Sequence, residues 1–345
     1  MVEPKVLLIY GRTNQHLGLW DDLRMDSRVI LRIAELQQLT LWKKILYRLV
    51  ILFERYVTES RCKHFFYQYS DLFELASQVN HIVIIDGALN KINICELEKC
   101  RQLNRNVRIS LYLINSIKAQ SPIMRNVRPK IGQFKWDNIF TFDEEDAKKY
   151  GYQHLGFNYY SAHNIDSVLN SAAHSDVFFV GGLKGGRTNF IYDIYSFLNS
   201  EKVICDFYLM SYGNQPVKEL PGIYYYRGWR PYEDILEHVQ QTNCIIEIMQ
   251  EGQAGATLRY FEAVCMNKKL LTNNPYIASF PFYNPQWMRI FSSLEDIDME
   301  WIRSREKIDY GYNGEFSPVH LIDYLLEDKT DSPFNCKPKL CKTKI

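Results

Sequence analysis

A chain of 345 residues has room for about two domains. Apolar content of 46% with 23% charged residues is that of an ordinary globular protein, which excludes a disordered or collagen-like chain. A net charge of +1 removes the global electrostatic footprint of a nucleic-acid binder, so no nucleic-acid partner is expected.

The eight cysteines, Cys62, Cys95, Cys100, Cys205, Cys244, Cys265, Cys336 and Cys341, form no C-x-x-C pair. They read as free thiols of a reducing cytosol, without a zinc site. No uncharged apolar run reaches the roughly 20 residues of a membrane span. The chain enters an apolar strand at once, so no signal peptide is expected. The 24 Tyr and 19 Phe suit wet clefts and carbohydrate surfaces as well as cores.

In chain order, Lys5–Tyr10 reads as a buried strand that leads into a turn at Gly11-Arg12-Thr13-Asn14. The loop runs on through His16, Gly18, Trp20, Asp21 and Asp22 without a G-x-G-x-x-G fingerprint, so a dinucleotide site there is unsupported. Leu39–Val57 places Trp42, Leu46, Leu49, Phe53 and Tyr56 at helical spacing, with Lys43, Lys44, Arg48 and Arg55 off that stripe. It reads either as a helix packed on its own core or as a basic amphipathic surface for an anionic membrane.

Strands are expected at His81–Asp86, Val107–Ile114 and Asn138–Phe142, with a helix at Ile94–Leu103. Asp143-Glu144-Glu145-Asp146 opens a further helix through Tyr150; acidic residues there suit a helix start rather than a metal. Gly151–Ser175 looks like a connector.

The pattern restarts with strand Asp176–Val180 and the loop Gly181-Gly182-Leu183-Lys184-Gly185-Gly186-Arg187. Helix Phe190–Leu198, strand Cys205–Met210 and helix Glu233–Gln240 follow, the last opened by Arg230-Pro231-Tyr232. Next come strand Cys244–Met249, a polar loop, helix Ala256–Met266 and strand Lys268–Thr272. A short strand at Ile290–Ser292 and helices at Met299–Ile308 and Val319–Leu326 complete the fold. Residues 328–345 are a polar, Lys-rich tail expected to be disordered.

The expected organisation is thus an N-terminal domain, 1–160, and a C-terminal domain, 161–327, both Rossmann-like α/β layers facing a cleft.

Two loops carry phosphate chemistry. Glycines let a backbone approach a phosphate, and Lys184 and Arg187 neutralise it, although the loop is no Walker A. At Gly255, Ala256 and Thr257 a helix start offers unpaired N–H groups to an anion. Arg259 and Glu262 stand three apart on that helix: either a simple ion pair, or a ribose acceptor (Glu262) beside a diphosphate contact (Arg259). Arg230 could touch a nucleobase, or only start a helix. Asp296-Ile297-Asp298 spells D-x-D, but its late place beside Glu295 and Glu300 reads as a solvated helix start.

The Gly-rich loop, followed by G-x-T-x-R-x-x-E-A (Gly255, Thr257, Arg259, Glu262, Ala263) and K-K-L-L-T-N-N, resembles GT-B glycosyltransferases. The wording of Asp176–Ser317, including FYNP and EDID, is similar to bacterial lipopolysaccharide-core and capsule transferases. The resemblance implies that the second domain holds a nucleotide-sugar. Gly182, Lys184, Gly185 and Arg187 match the diphosphate loop, Gly255–Thr257 the helix-start contact, and Glu262 the ribose acceptor. The E-x-x-x-x-x-x-E spacing of many retaining members is missing, since Gly255 stands seven positions before Glu262.

An inverting transfer needs a general base, for which His16, Asp21, Asp22 and Asp86 are candidates. The resemblance therefore implies a metal- and cofactor-independent transfer to a bacterial surface glycan, lipid-linked, at the cytoplasmic face of the plasma membrane. A nucleotide-sugar epimerase and a non-catalytic sugar-binding or scaffold subunit are the alternatives.

Overall fold

A computed structural model describes residues 5–12, 18–34, 41–42, 45–46, 48–49, 72–118, 122–162, 174–183, 186–211, 218–227, 230–249 and 255–327. His16, Lys184, Gly185 and the 328–345 tail lie outside these, as does most of Leu39–Val57. The chain divides into two compact units, residues 1–159 with the segment from 318, and residues 160–317.

The first unit is a six-stranded parallel sheet in the order β2-β1-β3-β4-β5-β6. Its strands are β1 (Val6–Gly11), β2 (Val29–Ala34), β3 (His81–Ile85), β4 (Arg108–Leu113), β5 (Asn138–Thr141) and β6 (Gln153–His154). Its helices are α1 (Leu72–Ser77), α2 (Asp86–Leu89), α3 (Ile94–Leu103), α4 (Pro122–Ile131) and α5 (Glu144–Tyr150). The order 2-1-3-4-5 is one of the two common doubly wound arrangements, with its switch point between β1 and β3. β1 and β3 are buried throughout, as expected of central parallel strands.

Local chemistry sets the ends of these elements. Asn93 caps α3 by accepting from the Cys95 N–H (3.0 Å). Asp143 caps α5 by accepting from Asp146 N–H (3.0 Å), and Gly151 closes it in the left-handed region at φ 71°. The acidic run is helix-start chemistry, as its position suggests. The expected connector from Gly151 is in part built structure: β6 pairs with β5, and Leu155, Phe157, Tyr159 and Tyr160 are buried. β2, α1 and α4 are additions to the sequence reading. α4 carries Pro129 in its interior, which masks its helical pattern.

The second unit is also a six-stranded parallel sheet, in the order β12-β11-β10-β7-β8-β9. Its strands are β7 (Ser175–Gly182), β8 (Cys205–Met210), β9 (Ile223–Tyr226), β10 (Thr242–Glu247), β11 (Lys269–Thr272) and β12 (Met288–Ile290). Its helices are α6 (Arg187–Ser200), α7 (Tyr232–Gln240), α8 (Leu258–Cys265) and α9 (Met299–Arg303). Counted within the unit, this is the 3-2-1-4-5-6 order of dinucleotide-binding folds, with its switch point between β7 and β10.

α9 stops five residues before the expected Ile308. The buried Lys269 side chain donates to the carbonyls of Trp301 (2.6 Å) and Ser304, and Asn243 donates to those of Ile302 and Ser304. These donors take the place of the next helical turn.

The final helix, α10 (Val319–Leu326), belongs to the first unit and not to the second half that precedes it in sequence. Asp323 accepts from Arg28 (2.7 Å), and the Tyr324 ring packs edge-on against Phe140. The C-terminal domain expected at 161–327 therefore ends near 317. Each unit keeps its own apolar core, one around Leu7, Ile84 and Leu111, the other around Val177, Phe207 and Ile246. No helix among the described residues is long and apolar enough to cross a membrane.

Candidate functional site

In the second unit, the carboxyl ends of β7 and β10 bracket the place where an open α/β sheet takes its ligand. Arg187, the first residue of α6, spans them. Its Nη2 and Nε donate to the Gly182 carbonyl (2.9 and 3.2 Å), and its Nη1 donates to the Ile248 carbonyl (2.8 Å). Gly181 makes room for this: a Cβ there would stand 2.8 Å from the Phe179 ring and 3.1 Å from Arg187 Nη2. Arg187 therefore fixes a positive charge at the switch point, held by two neutral carbonyls. Gly182 contributes its carbonyl to that clamp.

β10 ends in Glu247, which is 2% exposed and lies within an otherwise apolar run. Its Oε1 accepts from the Thr257 hydroxyl and its Oε2 from the Thr272 hydroxyl. Burial raises its pKa, against the two hydroxyl hydrogen bonds that lower it. Thr257 is the N-cap of α8, and its Oγ1 also accepts from Arg259 N–H (3.2 Å). Its hydroxyl thus serves both Glu247 and the cap.

The T-N-N segment after β11 holds the same loop. Thr272 grips Glu247, Asn273 Oδ1 accepts from Met249 N–H (2.7 Å), and Asn274 Nδ2 donates to the Gly255 carbonyl (3.5 Å). Ala256 is buried beside them, at 6% exposure.

One turn into α8, Glu262 is fully buried. Its Oε1 accepts from both the Tyr232 hydroxyl (2.5 Å) and Arg259 Nη2 (2.6 Å). Among the described residues its Oε2 has no hydrogen-bond partner, and neither does Arg259 Nη1, though both atoms are buried. Burial is the main cause that pushes the Glu262 carboxyl up to about 7; Glu247 adds to it, and Arg259 and Tyr232 oppose it. Each unpartnered buried polar atom costs about 1–3 kcal/mol. An acceptor and a charged donor left open on one ion pair suit a ligand that offers hydroxyls to one and an anion to the other.

Arg230 lies 4.7 Å above the Tyr208 ring and only 3.4 Å from Asp234, its charge held by stacking more than by pairing. The D-x-D carboxylates are helix and turn caps. Asp296 Oδ2 accepts from the N–H groups of Ser292 and Ser293, and Asp298 accepts from Trp301 N–H and Arg289. No group of residues among those described could hold a metal ion. Phe280 and Phe282 pack against Tyr260, Tyr312 and Phe316, whereas Tyr276 is half exposed.

In the first unit, Asp86 sits at the carboxyl end of β3 and is fully buried. Its Oδ2 accepts from the N–H groups of Ile114 (3.1 Å) and Asn115 (2.9 Å) and from the Asn115 amide (2.9 Å). Burial pushes its carboxyl up to about 6. It stitches β3 to the turn after β4. Its Oδ1 is buried without a hydrogen-bond partner among the described residues, while Oδ2 is taken up by three donors; held by backbone in this way, it is not the base proposed below. Asp21 and Asp22 share a single 3-10 turn, where Asp21 accepts from Arg24 Nε (2.8 Å) and keeps 15% of its side chain exposed.

Sequence reasoning missed Glu247, Tyr232 and Tyr160. A carboxylate inside the run Cys-Ile-Ile-Glu-Ile-Met was the readable sign of the first. The two tyrosines gave no local signal, because their partners are far away in sequence.

No family model matches the chain, and no curated relative does. Solved structures are similar in fold. An alpha-glucosyltransferase bound to UDP and a 13-mer DNA is 11% identical, with 78% of this chain and 80% of that chain covered at a TM-score of 0.49. A UDP-forming trehalose-phosphate synthase from Burkholderia xenovorans is 10% identical, with 85% and 89% covered and a TM-score of 0.49. A T4 phage BGT mutant bound to UDP-glucose is 9% identical, with 94% and 92% covered and a TM-score of 0.45. The architecture of two parallel α/β sheets rests on the strand orders themselves.

Proposed function

We propose that the chain is a glycosyltransferase whose second unit binds a nucleoside-diphosphate sugar. The observation that carries this reading is the open pair on α8, Glu262 Oε2 and Arg259 Nη1, both buried and without a partner among the described residues. A ribose diol supplies hydroxyls to the carboxylate. The diphosphate lies toward Arg187 and the N–H groups at the start of α8, which carry the charge that builds on the leaving group. Lys184 and Gly185, in the same Gly-rich loop, join that contact. Arg230 is placed for the nucleobase.

The acceptor is a bacterial surface glycan, with inversion at the transferred carbon. Asp21 or Asp22 takes the proton from the attacking hydroxyl, with His16 as the remaining candidate. Exposed apolar residues at helical positions support contact with an anionic membrane at its cytoplasmic face. Leu41, Trp42, Ile45, Leu46 and Leu49 are all exposed, Trp42 at 80%, in a stretch that also carries Lys43, Lys44 and Arg48. Vesicles with anionic lipid should pellet the chain, and Trp42→Ala should weaken that.

Activity is tested by incubation with UDP-, GDP- and dTDP-sugars, with and without glycan acceptors. Acceptor-dependent nucleotide release supports transfer. Conversion of the sugar without an acceptor would indicate an epimerase. A melting temperature indifferent to every nucleotide would indicate a scaffold. Asp21→Asn and Asp22→Asn should separate the base from its neighbour, the base variant losing about 100-fold or more in kcat with little change in donor affinity.

A further inference from the structure

The hydrogen bonds around Glu262 form a buried line that begins where the chain enters the second unit. Tyr160 is the first residue of that unit. Its hydroxyl lies 3.0 Å from the Tyr232 hydroxyl, which in turn is 2.5 Å from Glu262 Oε1. Tyr160, Tyr232 and Glu262 are 1%, 4% and 0% exposed. With Glu262 as the carboxylate, only one arrangement of protons satisfies the line. Tyr232 gives its proton to the carboxylate, so its oxygen is left to accept from Tyr160.

Burial holds both phenols well above their ordinary pKa, so the protons stay in place. Arg259 Nη2 donates to the same Oε1. Both protein donors therefore converge on one oxygen, and the other is left facing no protein donor among the described residues.

The line is anchored at its far end. The Tyr160 ring stacks on Phe261, the neighbour of Glu262, at 5.6 Å and 8°. Its N–H donates to the Phe316 carbonyl (2.8 Å), and the Phe316 ring meets Phe261 edge-on at 4.9 Å. Residue 316 is the last but one of the unit. Both passages of the chain out of the second unit, at 159–160 and at 317–318, are thus fastened to the helix that carries Glu262.

We propose that Tyr232, and behind it Tyr160, are positioning residues for the donor carboxylate. They hold Glu262 Oε1 on protein hydroxyls so that Oε2 is presented to the ligand, and they tie that orientation to the passages between the two units. The inference rests on the donor-site reading above. Neither tyrosine touches the reacting atoms. Their loss lets the carboxylate turn, which weakens nucleotide binding and leaves the chemical step alone.

The test titrates UDP, GDP and dTDP separately into the full chain by calorimetry, across pH about 5.5 to 8.5. Parent, Tyr232→Phe and Tyr160→Phe are compared, with each melting temperature recorded. Four groups face the Glu262 carboxylate and enter its titration: Arg259 from its own helix, Tyr232 from α7, Glu247 from β10, and Tyr160 through Tyr232. Tyr232→Phe should weaken the preferred nucleotide by about tenfold. It should also move the midpoint of its pH dependence upward, since a hydrogen bond that favours the carboxylate is gone.

Tyr160→Phe removes one hydroxyl away from the carboxylate, so it keeps the ring stack and the fold. It should weaken binding by about threefold. With a sugar donor, KM should rise in both variants while kcat holds. A parent that binds a nucleotide, with both variants matching its affinity and pH midpoint, overturns the relay and leaves the donor site standing. A parent that binds none of the three overturns the donor-site reading, and the relay with it.

Discussion

Asp86 and Glu262 are the same kind of group in the same kind of place. Each is a fully buried carboxylate near the carboxyl edge of a parallel sheet, one in each unit. Each is pushed up by burial, to about 6 and about 7. They differ in what holds them. The partners of Asp86 are two backbone N–H groups and an amide that belongs to the same turn. Those of Glu262 are side chains from two helices, with a guanidinium that keeps an open N–H beside it. A carboxylate bound to backbone is part of the scaffold. Asp86 and Glu262 each also leave their second oxygen without a hydrogen-bond partner among the described residues, so what sets Glu262 apart is the open guanidinium N–H of Arg259, and we propose that a ligand completes that pair. On the proposed reading, the first carboxylate serves shape and the second serves binding.

Substitution should separate them most sharply. Asp86→Ala leaves three donors unsatisfied and should cost about 3 kcal/mol in denaturant titration, with nucleotide affinity unchanged. Glu262→Gln keeps the volume but loses the charge opposite Arg259. It should lower nucleotide affinity by about 100-fold, read by calorimetry. If Asp86→Ala abolished nucleotide binding while Glu262→Gln spared it, the assignment would be reversed. Arg187→Ala should weaken the nucleoside diphosphate by about tenfold and the nucleoside alone hardly at all, because the proposed diphosphate position lies beside its charge.

The pH effect is smaller and has two opposite signs. A carboxyl whose folded pKa lies above its unfolded value favours folding while it is protonated. For Glu262 that contribution is complete below about pH 4.5 and is lost as pH rises to about 7; for Asp86 it is lost between about 3.8 and 6. Nucleotide binding needs Glu262 as a carboxylate, so affinity should rise over the window in which this part of the stability falls. Melting curves and titrations on parent and Glu262→Gln check both, and the variant should show neither Glu262 trend.

Much of this was legible in the sequence because it is local. Val6–Gly11 is an unbroken apolar run, and a parallel strand buried on both faces needs little else. Asp143 stands where the acidic run predicts a helix start, whereas Thr257, expected inside its helix, is the cap. T-N-N after Leu271 binds Glu247, Met249 and Gly255, although only its resemblance to a family was readable beforehand.

What stayed hidden is long-range. Nothing near Val319 says that its helix returns to the first unit through Arg28 and Asp323. Nothing near Tyr232 says that it donates to a carboxylate 30 residues on. Arg187 was expected to face a phosphate, but its geometry depends on the carbonyl of Ile248, a strand away.

The most direct test of the central claim is a crystal structure of the full chain with the nucleoside diphosphate that binds best among UDP, GDP and dTDP. The account predicts ribose hydroxyls at hydrogen-bond distance from Glu262 Oε2, with the diphosphate between Arg187 and the start of α8. A nucleotide seated elsewhere, with Glu262 Oε2 still unpartnered, would contradict it.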